Sequence, residues 1–208
     1  MGDAADRGCT VFIVDDDAAM RDSLALMLGL LGYRTACFDS AEAFLAAHQD
    51  SWAGCVLADL KLPGKSGLEL QAETRARGSR LPFVIITAHG DVSSARAAFQ
   101  AEAVDFIEKP FDEADLRAAI EKGLRRELGR IERAAAEREE ASKLAKLTPR
   151  ERAVLELVGT GLHAKEIGAD LGISPRTVEV HKARIMAKLG ARNVAELVRF
   201  ALAVGKHS

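Results

Sequence analysis

Five times between residues 10 and 109 the chain runs through four to six mostly apolar, often β-branched residues and then stops on polar side chains. Thr10-Val11-Phe12-Ile13-Val14 stops on Asp15-Asp16-Asp17, Tyr33 to Phe38 on Asp39, and Cys55-Val56-Leu57-Ala58 on Asp59. Phe83-Val84-Ile85-Ile86 stops on Thr87, and Val104-Asp105-Phe106-Ile107 on Glu108-Lys109-Pro110. Runs this short and this apolar read as strands buried on both faces of a parallel sheet. Segments with helical spacing separate them. Ala18 to Leu31 carries Met20, Leu24, Met27, Leu28 and Leu31 on one face, and Asp39 with Glu42 reads as a D-x-x-E cap for a helix over 40 to 49. Further helices are predicted from Ser66 to Arg77, from Asp91 to Gln100 and over residues 112 to 128. The alternation predicts an α/β fold, a five-stranded doubly wound parallel sheet.

In the common strand order 2-1-3-4-5, strands one and three are neighbours at the switch point, and ligands bind outside the carboxyl ends of such strands. That order brings Asp15 and Asp16 beside Asp59, with Thr87 and Lys109 on the same edge. Crowded carboxylates repel, and burial raises their pKa values. A divalent cation resolves the conflict, and Mg²⁺ takes one or two carboxylates while keeping waters and phosphate oxygens. With the metal bound, a carboxylate can attack phosphorus to form an aspartyl-phosphate. A lysine and a hydroxyl at the same edge would stabilise the incoming phosphoryl group. A single acid here could merely cap a helix; convergence from four strands argues for chemistry.

Charge divides the chain. Residues 148 to 208 hold 10 Lys and Arg against 6 Asp and Glu, whereas the preceding residues hold 19 against 25. An acidic front and a basic back suggest two modules with different partners, the back one contacting nucleic acid. No stretch approaches the roughly 20 apolar residues of a membrane span. The N-terminal Met-Gly-Asp-Ala-Ala-Asp-Arg lacks a signal-peptide core, so no membrane association and a cytoplasmic location are expected. Cys9, Cys37 and Cys55 are expected to be reduced, buried small apolar residues.

Leu116, Ile120, Leu124, Leu128, Ile131 and Ala135 mark one face of a helix that continues from the last helix of the front module. It is either a solvated helical linker or a dimer-forming stripe. Gly123 and Gly129 argue against great rigidity, each costing roughly 1 kcal/mol relative to Ala. Beyond it, Thr148-Pro149-Arg150-Glu151 combines an N-cap, a proline at the first helical position and a glutamate at N3. Helices follow up to Gly159, from Ala164 to Leu171, after Ser174-Pro175 to Leu189, and from Val194 to Ala203. The second and third, joined through Leu171-Gly172-Ile173-Ser174, have the form of a helix-turn-helix in a small all-α four-helix domain. In the third helix Val178, His181, Ile185 and Leu189 share the core side. The opposite side carries Arg176, Val180, Ala183 and Ala187, small or apolar residues among cations, which suits a groove floor between phosphate walls.

Over about residues 9 to 125 the sequence resembles the receiver domain of two-component response regulators, which has a flavodoxin-like fold. Val14-Asp15-Asp16-Asp17, Asp59 with Pro63 and Gly67, Ile86-Thr87-Ala88, and Phe106 with Lys109-Pro110 carry the resemblance. It implies that Asp59 accepts a phosphoryl group from a sensor histidine kinase. It further implies Mg²⁺ on Asp16, Asp59 and the Lys61 backbone carbonyl, with Asp15 acting through water. Lys109 would pair with the phosphate, Thr87 would hydrogen-bond it, Phe106 would change rotamer with Thr87, and Lys109-Pro110 would be cis. His89 sits in a loop, Thr87 to Asp91, that matches T-x-H-G-D of one receiver branch, and it is expected to shape that loop. Val11 to Asp17 also fits the hhhh-D-x-D opening of haloacid-dehalogenase-like phosphatases. That family expects Thr or Val where Ala19 stands, and it does not explain Asp59.

Residues 147 to 208 contain a second resemblance, to the LuxR-type helix-turn-helix, after a linker over 126 to 146. Thr148-Pro149-Arg150-Glu151, Lys165-Glu166-Ile167 and Ile173 to His181 carry it, and together the two modules resemble the FixJ/NarL regulators, nearest the FixJ branch. His163-Ala164 departs from the usual Thr or Ser followed by Asn, which weakens the expected cap of the second helix. The resemblance assigns Glu179, Val180 and Ala183 to the groove, and Lys165, Arg176, Thr177, Lys182, Arg184 and Lys188 to phosphates. The expectation is a transcriptional regulator, not an enzyme with an external substrate. Phosphorylation would make it a homodimer or free its helix-turn-helix for double-stranded promoter DNA, with RNA polymerase as a candidate further partner.

Overall fold

A computed structural model describes residues 8–88, 96 and 98–204. The chain divides after Glu132 into two compact units.

The first unit is built on five parallel strands, β1 (Thr10–Val14), β2 (Arg34–Phe38), β3 (Gly54–Asp59), β4 (Phe83–Thr87) and β5 (Asp105–Glu108), in the order β2-β1-β3-β4-β5. Between them run α1 (Ala18–Leu30), α2 (Ala41–Ala47) and α3 (Gly67–Ala76), and α4 (Glu113–Ala145) follows β5. Of the helix expected over Asp91 to Gln100, residues 96 and 98–100 are helical; 91–95 and 97, with His89 and Gly90, lie outside the described residues. Strand alternation separates two cores. Val11, Ile13, Cys55, Leu57, Val84 and Ile86 face Leu24 and Leu28 of α1 and Leu116, Ile120 and Leu124 of α4. Phe12, Val14, Val56, Ala58, Phe83 and Ile85 face Phe44 and Leu45 of α2 and Leu70 of α3. Trp52 stacks on Phe12 with ring centroids 4.4 Å apart, and so belongs to this second core.

Three expectations change here. The N-cap of α2 is Ser40, whose hydroxyl accepts from the Ala43 N–H, while Asp39 accepts from the Ser40 hydroxyl. Glu42 turns away from its own helix to accept from the Lys65 N–H at 3.4 Å. Cys37 is exposed, because β2 is an edge strand, whereas Cys9 and Cys55 are buried as expected. The first four residues of the stripe on α4 are spent on the core of their own unit, Leu116, Ile120 and Leu124 buried and Leu128 packed against them, so these four form no dimer seam; Ile131 is half-buried and Ala135 exposed beyond it. Gly123 belongs to that packing. A Cβ there would stand 2.4 Å from the Cys55 Sγ, so the residue serves close approach of helix to sheet, and α4 runs unbroken through it.

The second unit contains α5 (Pro149–Gly159), α6 (Ala164–Leu171), α7 (Pro175–Leu189) and α8 (Val194–Val204) around a core including Val154, Leu155, Ile167, Val178, Ile185, Leu189 and Leu197. Gly172, at φ +66°, closes α6 in the left-handed region, which glycine enters without steric cost, and Ser174 then caps α7. No helix among the described residues is long and apolar enough to cross a membrane.

Candidate functional site

Parallel register places the two acid-ended strands side by side. Val14 pairs with Ala58, so Asp15 and Asp59, one residue further on, stand adjacent at the carboxyl edge. Their carboxylates share one ammonium: Lys109 Nζ lies 3.0 Å from Asp15 Oδ2 and 2.8 Å from Asp59 Oδ1. Lys109 is held there because its N–H donates to the Thr87 carbonyl at 2.7 Å, locking the end of β5 to the end of β4. The following Lys109–Pro110 bond is cis. The other carboxylate oxygens accept backbone N–H groups, Asp15 Oδ1 from Asp17 at 2.9 Å and Asp59 Oδ2 from Lys61 at 2.8 Å.

Side-chain exposure is only 2 % for Asp15, 9 % for Asp59 and 18 % for Lys109, so two negative charges and one positive are enclosed together. Burial pulls the Lys109 ammonium down, but the hydrogen bonds to Asp59 and Asp15 outweigh it and hold the group above its usual pKa. Asp16 is exposed at the rim, Thr87 is fully buried at the end of β4, and Phe106 is half-buried against the second core. Among the described residues no three acidic, histidine or cysteine side chains form a metal-holding group, so the three aspartates are not a preassembled cage. The donor set is nonetheless all oxygen, and each of the four Asp15 and Asp59 oxygens keeps a second lone-pair direction beyond the hydrogen bond it accepts. That chemistry fits a hard cation that retains water ligands.

Arg21 was not singled out from the sequence. One turn beyond the Asp17 cap, its Nη1 donates to the Asp15 carbonyl at 2.7 Å and adds a second cation at this edge. Its spacing of four from Asp17 is the only signal for it in the chain.

In the second unit α7 presents Arg176, Glu179, Val180, Ala183 and Arg184 as exposed residues, and Lys165 is exposed in the first turn of α6. Lys182 is mostly covered and pairs with Glu179 at 2.9 Å. The Thr177 hydroxyl lies 2.8 Å from that of Ser174, and its N–H completes the cap of α7. The departure at His163 is offset by Glu166, whose carboxylate accepts the His163 N–H at 2.7 Å. Lys188 is exposed but donates to Glu151 Oε2 at 2.6 Å and to the Lys146 carbonyl at 3.2 Å. Arg150 donates to the Leu171 carbonyl at the end of α6. The hydrogen bond from Lys188 and that from the Thr148 N–H hold the Glu151 carboxyl at about 2, below its ordinary 4.5.

An acidic pocket at the switch point of a five-stranded parallel sheet, joined to a helix-turn-helix, defines a class of signalling protein, and comparison agrees. Residues 11–121 match the response regulator receiver domain, and residues 145–201 match the bacterial regulatory proteins of the luxR family. The chain is 43 % identical over 195 residues to the transcriptional regulatory protein FixJ of Bradyrhizobium diazoefficiens, covering 94 % of this chain and 95 % of that one. It is 45 % identical to the FixJ of Azorhizobium caulinodans, with 94 % and 92 % covered. Among solved structures it is similar to the response regulator StyR, with a TM-score of 0.84, 39 % identity and coverage of 94 % and 99 %. The full-length FixJ of B. japonicum matches with a TM-score of 0.59, 42 % identity and coverage of 95 % and 98 %. The chain belongs to the response-regulator family that joins a receiver domain to a LuxR-type DNA-binding domain. It is a phosphorylation-dependent transcriptional regulator, and its two domains imply a histidine kinase and DNA as partners.

Proposed function

We propose that Asp59 is the phosphoacceptor and that Asp15, Asp16, Asp59 and the Lys61 carbonyl are the residues that would hold Mg²⁺. The observation that carries this reading is the Lys109 ammonium bridging two enclosed carboxylates, 3.0 Å from one and 2.8 Å from the other. The site keeps one excess negative charge, which favours a cation, and it has a fixed donor ready for phosphoryl oxygens. Bound Mg²⁺ would supply charge neutralisation between carboxylate and phosphoryl oxygens. An Asp59 oxygen attacks phosphorus, the P–N bond of the kinase phosphohistidine breaks, and its electron pair returns to the imidazole nitrogen. Lys109 then exchanges its hydrogen bond to Asp59 for one to the phosphoryl group, and the Thr87 hydroxyl donates another. Thr87 and Phe106 report the new charge to the surface around β5.

That report shifts a two-state receiver toward an active form by differential interaction. In that form the chain pairs as a homodimer or releases its helix-turn-helix. Two α7 helices then read a roughly palindromic site, with Glu179, Val180 and Ala183 toward the groove and Lys165, Arg176, Thr177, Lys182 and Arg184 toward phosphates. Contact with RNA polymerase and a cytoplasmic location complete the reading.

The test is intact mass and DNA affinity after treatment with Mg²⁺ and acetyl phosphate, for the wild type and Asp59→Asn. Gain of one phosphoryl group with tighter DNA binding, in the wild type alone, is expected. An Asp59→Asn protein that still responds would refute the scheme, and phosphorylation without a change in affinity would place the output in another partner.

A further inference from the structure

Two of the exposed cations in the basic C-terminal unit are tied by hydrogen bonds to the fold. Arg150 is spent on the Leu171 carbonyl. Lys188, in the last turn of α7, donates to Glu151 at 2.6 Å and to the Lys146 carbonyl at 3.2 Å. The Glu151 side chain is only 4 % exposed, and its Oε2, which takes the Lys188 bond, also accepts the Thr148 N–H at 2.8 Å. The capping box of α5 therefore fixes that carboxylate in place. Lys165, Arg176 and Arg184 are likewise exposed but, among the described residues, form no hydrogen bond or ion pair within the fold. The difference is one of cost. An unpaired cation reaches a phosphate by shedding water, whereas Lys188, itself exposed, would have to leave the enclosed Glu151 carboxylate without its partner cation. Distance adds to this. Helix-turn-helix readers touch base edges with the N-terminal part of the recognition helix, and at 1.5 Å per residue Lys188 lies about 18 Å along α7 from Arg176.

We propose that Lys188 is a positioning residue of the DNA-reading helix rather than a phosphate contact. It ties the last turn of α7 to Glu151 and to the carbonyl just beyond α4. At the other end Ser174 caps α7 and Arg150 holds the preceding helix, so Thr148–Glu151 becomes the fixed point for both helices of the motif. Losing Lys188 frees one end of α7 to pivot in the groove. Contacts to bases fail first, because they demand direction, while contacts from flexible cations to phosphates persist. This inference rests on the proposed role of α7 in reading DNA.

The experiment uses the full chain treated with Mg²⁺ and acetyl phosphate, a duplex selected by the wild type from a random-sequence pool, and a shuffled duplex of the same composition. Affinities are measured across a potassium chloride series for the wild type, Lys188→Met, Lys188→Arg and Glu151→Gln. Lys188→Met and Glu151→Gln should each lower the preference for the selected duplex about tenfold, the scale of one lost base contact. Affinity for the shuffled duplex and the salt slope should hold, and Lys188→Arg should recover part of the preference. A slope shallower by about 0.9 in Lys188→Met, with weaker binding to both duplexes, would make Lys188 a phosphate contact and overturn the proposal. Equal weakening on both duplexes at constant slope would reduce it to a loss of fold, and no change at all would also overturn it. If the wild type selects no duplex, the DNA-reading role itself fails.

Discussion

The receiver and the helix-turn-helix each pair a lysine with enclosed carboxylate, and they do so to opposite ends. In the receiver, Lys109 is shared by two acids from different strands, and the trio keeps one unit of negative charge. In the DNA-binding unit, Lys188 meets a single carboxylate that also caps a helix, and the pair is neutral. Enclosed charge is tolerated only when paired, so the charge left over in the first site would favour a cation, as proposed above, whereas the second leaves none over. One arrangement is poised and the other is closed.

Four expected outcomes test that contrast, from the largest effect downward. Lys109→Met leaves Asp15 and Asp59 facing each other without a cation and should cost the receiver about 3 kcal/mol in urea unfolding at neutral pH. In the wild type the Lys109 contribution, from a raised pKa, is complete at neutral pH and lost only as pH rises through that raised value, above 10.5. A Lys109→Met protein as stable as the wild type would end the idea of a poised site.

Mg²⁺ should raise the thermal midpoint of the wild-type receiver, by about 2.7 kcal/mol of stability at a hundredfold excess over its dissociation constant. Asp59→Asn should blunt that gain, and an equal gain in both proteins would show the cation binding elsewhere. In the closed site, Glu151→Gln should lose about 1.5 kcal/mol at neutral pH. The sign follows from a depressed carboxyl pKa: the wild-type contribution is present above 4.5 and disappears as pH falls toward about 2. The variant should therefore be flat across that window, as followed by helical circular dichroism. Last, Glu139→Gln in the exposed pair Glu139–Lys143 on α4, 2.8 Å apart, should leave the urea midpoint unchanged, which separates enclosure from mere proximity.

Much of this was legible in the chain. Apolar runs ended by Asp15, Asp59, Thr87 and Lys109 predict both the sheet and its functional edge, because strand order in such folds is nearly a rule. Thr148–Glu151 announces the start of α5 through a cap only four residues long. Signals of this kind are local, or repeat with a fixed period, and they survive without knowledge of distant neighbours.

What remained hidden involves partners far apart in sequence or a choice between equals. Ser40 rather than Asp39 caps α2, since either side chain could have reached the free N–H groups. Cys37 is exposed because its strand lies at the edge, which no count of apolar residues reveals. The stripe from Leu116 to Leu128 reads identically whether it covers its own sheet or another copy of the chain, and only packing assigned it to the receiver core. Lys188 shares its charge and periodicity with the cations expected on DNA. Its partner stands 37 residues earlier, and only folding brings the two within 2.6 Å. Periodicity thus specifies which face a residue occupies, while long-range geometry decides what that face meets, because the energy of an enclosed charge depends on its partner more than on its place along the chain.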